Sequence, residues 1–122
     1  MTDLPPFGLG YPGTELRTQL VQAVLRGEKT ATSGLAQEEE SPPRAGDRYL
    51  LQDAGEQAVG IVEVTEARIV PAGEIDLGFA RDEGEGFESV EEWRLAHERF
   101  FDRPITDDTL VVAVRFRLAE RF

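Results

Sequence analysis

The segment that most constrains this chain is its last one, TLVVAVRFRL. Leu110, Val112, Val114, Phe116 and Leu118 alternate with more polar positions, the period of a strand with one buried face. A second long segment, QAVGIVEVTEARIV (57–70), is rich in Val and Ile and predicts one strand, or two joined by a bend, ended by Pro71. RYLLQ (48–52) is a shorter strand, followed by the turn DAGE. Strands this long must find pairing partners, and the helical segments around them must cover a sheet.

Those helical segments are legible from their ends. Thr14 fits an N-cap, Leu16, Leu20, Val21, Val24 and Leu25 recur at helical spacing, and Gly27 stands where a C-cap glycine would stop the helix. AGEIDLGFAR predicts a short helix. Ser89 to Glu92 spells a capping box, S-x-x-E, and opens a helix that places Val90, Trp93, His97 and Phe100 or Phe101 on one face. AQEEESPPRAGD and DEGEG are surface loops. The order is helix, strands, helix, helix, strand, an α+β pattern without the regular alternation of a parallel sheet. A small curved sheet or barrel flanked by helices is the expected result.

Composition narrows the function. The chain has 122 residues, one domain by size, with residues 1–13 as an N-terminal loop. It has no run of apolar residues long enough to span a membrane, and its first ten residues do not resemble a signal peptide, so a cytoplasmic location is expected. No cysteine means no disulfide or thiolate metal site, and a single histidine, His97, rules out a His-rich one; neither metal nor cofactor is expected. The net charge of −11, from 24 acids against 13 bases, disfavours tight sequence-blind binding to long RNA. A local basic groove drawn from Arg26, Arg44, Arg48 and Arg115 would restore it. Gly8, Gly10 and Gly13 spell G-x-G-x-x-G, but Pro5 and Pro6 stand where a dinucleotide site needs a strand, so turn glycines are the better reading.

The stretch RGEKTATSGL leaves the end of the first helix. By position alone Lys29 would be a solvated lysine. However, Gly27-Glu28-Lys29-Thr30-Ala31-Thr32 matches G-x-K-x-x-T, and FARDEGEGFESVEEWRLAHERFF resembles the acidic loop and helix of the longer bacterial ASCH proteins. On these residues the chain resembles the ASCH family of the PUA-like superfamily. The resemblance implies a small mixed β-barrel with flanking helices and a ligand that is a modified nucleoside or single-stranded RNA. Shorter relatives are similar to amidohydrolases of N4-acetylcytidine, in which the motif lysine accepts a proton, the threonine is nucleophile and a glutamate donates a proton. Carried over, these are Lys29, Thr32 and Glu83, with Glu85 as the alternative acid. Other relatives resemble single-strand-specific ribonucleases, and others are noncatalytic RNA-binding modules.

The chemistry sets conditions. A threonine hydroxyl needs an adjacent base. A lysine serves as one when its amine is neutral, which burial favours and nearby carboxylates oppose. Crowding of Asp82, Glu83 and Glu85 should push a glutamate upward, as a proton donor requires. In a regular strand residues 29 and 32 point to opposite faces, so the motif predicts an irregular backbone between them and hydrogen-bond reach from Lys29 to Thr32. Tyr11, Ser33, Arg44, Arg48 and His97 are the candidates for substrate binding, Tyr11 by stacking. Three functions fit: a metal-independent hydrolase, an RNA-binding module, and a small-ligand sensor without turnover.

Overall fold

A computed structural model describes residues 4–122; the first three residues of the expected N-terminal loop lie outside the described residues. Helix α1 (Glu15–Arg26) leads to strand β1 (Ala31–Leu35), a single 3-10 turn (Ala36–Glu38), then β2 (Arg48–Gln52) and β3 (Ala58–Pro71). A second 3-10 turn (Ala72–Glu74) precedes the short α2 (Leu77–Asp82), α3 (Val90–Phe101) and the closing β4 (Leu110–Arg121).

The strands form one curled antiparallel sheet in the order β1-β4-β3-β2. β3 is a single bent strand. Its register against β4 slips between Ile61 and Val62 and again between Val64 and Glu66, and such bulges bend and twist a sheet. The N-terminal segment adds a parallel bridge: Leu50 N–H donates to Pro5 and Phe7 N–H donates to Leu50. The architecture is α+β and PUA-like, an open half-barrel with helices packed around it.

Alternation in the last segment understates its burial. Val111 and Ala113 are as buried as Val112 and Val114, while Leu110 is exposed. β4 is central and covered on both faces. Val111 and Ala113 pack with Phe79, Ala80 and Trp93 from the α2–α3 side, whereas Val112, Val114 and Val64 line the other face. A third cluster joins Phe7 and Leu9 to Leu20, Val21 and Val24 of α1 and to Phe116.

The helix ends follow local chemistry. Thr14 Oγ1 accepts from Arg17 N–H, and Gly27 ends α1 in the left-handed region at φ 81°. The segment expected as one helix over 72–81 is split, because Asp76 caps a fresh start at Leu77. Ser89 accepts from Glu92 N–H as a capping box requires, but Glu92 accepts in return from Glu88 N–H rather than from the cap's own.

A buried charge cluster beside the beta1 edge

α1 ends one turn before β1, and the chain between them turns inward. Glu28 and Lys29 N–H both donate back to Ala23, closing the end of α1 around the left-handed Gly27, and Thr30 N–H reaches Asp82. The irregular backbone therefore covers 27–30 and ends before Thr32, which is already paired with Val114 in β1. The lysine it delivers is only 2% exposed. Its Nζ donates to the carbonyls of Ala31 (2.8 Å) and Glu83 (3.0 Å) and lies 3.8 Å from a carboxylate oxygen of both Glu83 and Glu85.

Gly84 makes this approach possible. It has φ 71°, and a Cβ there would fall 2.7 Å from the Glu28 carbonyl oxygen and 2.7 Å from Lys29 Cα. Only glycine meets both demands. It lets the carboxylates on either side of it in the chain, Glu83 and Glu85, flank one amine.

Glu83 is 1% exposed and collects donors. Its Oε2 accepts from Trp93 Nε1 (2.6 Å) and Ser33 Oγ (2.8 Å), and its Oε1 lies 3.3 Å from His97 Nε2. His97 Nδ1 faces the Trp93 carbonyl at 2.7 Å, and a carbonyl can only accept, so Nδ1 carries a hydrogen. Nε2 then faces a carboxylate oxygen and, at 3.1 Å, the Ser33 hydroxyl. Burial pushes Glu83 upward, but the His97 hydrogen bond and charge, Lys29 and Ser33 outweigh it, and its carboxyl sits below the usual 4.5. Burial pushes His97 down, but the Glu83 hydrogen bond and charge, helped by the Trp93 carbonyl and Glu85, carry it above 6.5. Both shifts act the same way, favouring the anion at Glu83 and the cation at His97. Glu85 is the carboxyl that is raised: burial dominates, and the Glu83 charge adds to it against the pull of Lys29. The upward shift expected of a proton donor falls at Glu85 and not at Glu83.

The cluster lines a cavity of about 590 Å³. Lys29, Thr32, Ser33, Glu83, Glu85 and His97 all face it, with Val112 and Val114 on its apolar side. Tyr11 and Phe100 line its rim as a stacked pair, centroids 5.4 Å apart and planes 17° apart. Lys29 and Thr32 are thus brought to one cavity, but among the described residues no hydrogen bond joins them; the hydroxyl tied to the charges is that of Ser33. Arg44 and Arg48 are elsewhere. Arg44 borders a separate shallow depression with Arg68, and Arg48 pairs with Glu63. Arg26 pairs with Glu28 and Arg115 with Asp82, so three of the four arginines that could build a basic groove are matched to acids. Among the described residues, no group of three His, Asp or Glu side chains is arranged to hold a metal ion, and no helix is long and apolar enough to cross a membrane.

Two site features were not read from the sequence. Trp93 is fully buried as expected of core, yet its indole N–H holds Glu83. Its spacing of four from His97 on one helix face was the available signal. Phe100, left open with Phe101 as a member of that helix face, is the partner of Tyr11.

A curled antiparallel sheet with a charged cavity at its edge strand places the molecule among the PUA-like domains. The family model of the ASCH domain matches residues 9–120, and the chain belongs to the ASCH family. A solved structure of protein EF3133 from Enterococcus faecalis V583 is similar at a TM-score of 0.85 and 27% identity, covering 99% of this chain and 79% of that one. An ASCH domain from Lactobacillus crispatus JV V101 is similar at 0.74 and 26% identity, covering 84% of this chain and 72% of that one. No curated protein matches the sequence.

Proposed function

We propose that the cavity binds a modified nucleoside and hydrolyses an N-acyl bond on it without a metal, N4-acetylcytidine being the first substrate to try. The observation that carries this reading is a lysine buried to 2% exposure, 3.8 Å from each of two carboxylates, in a cavity also lined by Thr32. Thr32 Oγ1 attacks the acyl carbon. Glu85, whose raised carboxyl suits a group that must gain and lose a proton, takes the hydroxyl proton and returns it to the departing amine. Lys29 meets the oxyanion as it forms, exchanging a carbonyl contact to do so. Water then releases the acid from Thr32. Glu83 stays an anion throughout and fixes Lys29, Ser33, Trp93 and His97 around it.

Mass-spectrometric turnover of N4-acetylcytidine by wild type, Lys29→Ala and Thr32→Ala tests this. Cytidine and acetate from wild type alone are expected, and their absence from wild type overturns the reading. A second reading, saturable nucleoside binding without turnover, is favoured by one detail: the Lys29 amine already serves two carbonyls and does not touch Thr32. A long-RNA module or a ribonuclease has less support, since three of the candidate arginines are paired and the net charge is −11.

A further inference from the structure

The free edge of β1 passes through the cavity wall, and its backbone is available there. Phe116 N–H donates to Thr30 O, which makes that opposed pair a hydrogen-bonded one. In an antiparallel ladder bonded and non-bonded pairs alternate, so Thr32 and Gly34 face β4 while Ala31, Ser33 and Leu35 turn their N–H and C=O outward. The Ala72 to Thr109 bond agrees, since it turns odd-numbered positions of β4 toward β3. Of the outward residues, Ala31 spends its carbonyl on Lys29. Ser33 is the one that lines the cavity, and among the described residues no bond fills its N–H or C=O.

In extended backbone the N–H and C=O of one residue point the same way, side by side. They match a planar ligand edge that carries an acceptor next to a donor. We infer that the Ser33 main chain is the specificity element of this cavity, reading the edge of a cytosine-type ring by donating to N3 and accepting from N4–H. This rests on the nucleoside reading above and names which edge is recognised. An N4-acyl group leaves one N4–H in place, so substrate and product present the same edge. The exposed Tyr11 face at the rim gives the ring a surface to stack on.

The test is an amide NMR titration of the wild-type protein with cytidine and with N4,N4-dimethylcytidine, which has lost the donor. With cytidine, the Ser33 amide is expected to shift downfield saturably and to exchange more slowly; the dimethyl compound should bind about tenfold more weakly, the loss of one hydrogen bond. Ser33→Pro removes the edge N–H at a position where an edge strand tolerates proline, and should bind cytidine about tenfold more weakly than Ser33→Ala, which keeps it. Cavity amides that respond while Ser33 stays still, equal affinity for both nucleosides, or no saturable response at all would overturn the inference. Turnover of N4-acetylcytidine with an unmoved Ser33 amide would keep the hydrolase and remove the edge. A responding Ser33 without turnover would do the reverse.

Discussion

Arg17 and Lys29 are both basic side chains buried to 5% exposure or less, but their company differs. Arg17 donates to three main-chain carbonyls, of Leu9, Gly10 and Gln52, and among the described residues it pairs with no acid. It ties the N-terminal segment to the end of β2. Lys29 also donates to carbonyls, but two carboxylates stand beside it, a histidine shares that of Glu83, and a cavity opens onto all of them. Burial of a base is therefore not what marks a site. Arg17 is a clamp whose partners are neutral and whose fork geometry is filled. Around Lys29, groups of opposite charge are gathered where a ligand can reach them, and their proton affinities are pushed apart.

The largest effect should come from breaking the charged side of this contrast. Glu83→Ala leaves Lys29 and His97 without the buried carboxylate that faces both, and a buried pair broken this way costs about 4 kcal/mol. The urea midpoint should fall accordingly, with turnover lost. Gly84→Ala comes next, at about 3 kcal/mol from left-handed strain plus overlap with the Glu28 carbonyl. Gly86→Ala, at φ 84° with nothing within 4 Å, should cost only the strain, about 1–2 kcal/mol. A smaller loss for Gly84 than for Gly86 would contradict the close approach. Arg17→Ala should cost about 2 kcal/mol and leave the pH dependence of the remaining stability unchanged, which is what separates clamp from site.

Titration sharpens the comparison further. His97 is raised, so its contribution is complete below 6.5 and lost as pH rises through its folded value. Glu85 is also raised, so its contribution is complete below 4.5 and likewise lost on the alkaline side. Glu83 is lowered, so its contribution is present above 4.5 and lost as pH falls through its folded value. The thermal midpoint should therefore be highest near about pH 4.5, fall below it as Glu83 is protonated, fall gently above it as Glu85 ionises, and fall more steeply above about 6.5 as His97 loses its proton. Glu85→Gln should soften the alkaline decline, leave the fold intact and reduce turnover about a hundredfold or more. Arg48→Ala, which breaks an exposed pair with Glu63, should leave both midpoint and turnover unmoved.

What could be read from the sequence was local or long. Thr14, Gly27 and Ser89 declare their roles within a few residues, and the stretch from Leu110 declares a strand, though not that both of its faces are covered. β1 was hidden because ATSGL has no strand-like alternation; it is a strand because β4 lies beside it. The motif brought Lys29 and Glu83 to notice through resemblance, not spacing. The bonds of Ser33 to Glu83 and His97 cross 50 and 64 positions, and no periodicity encodes them. Arg17 was invisible for a related reason. On the α1 pattern it reads as a polar position, and its burial follows only once Leu9 and Gly10 fold back over it.

That folded-back segment has a consequence for solution behaviour. By pairing with Leu50 it occupies the outer side of β2, which would otherwise present open strand hydrogen bonds at the far end of the sheet. Phe7 and Leu9 anchor it in the core. Shortening the chain past Leu9 would remove that cover and uncover an apolar groove with it. The shortened protein should pass from monodisperse particles to strand-to-strand aggregates as its concentration rises, even with every group around Lys29 intact.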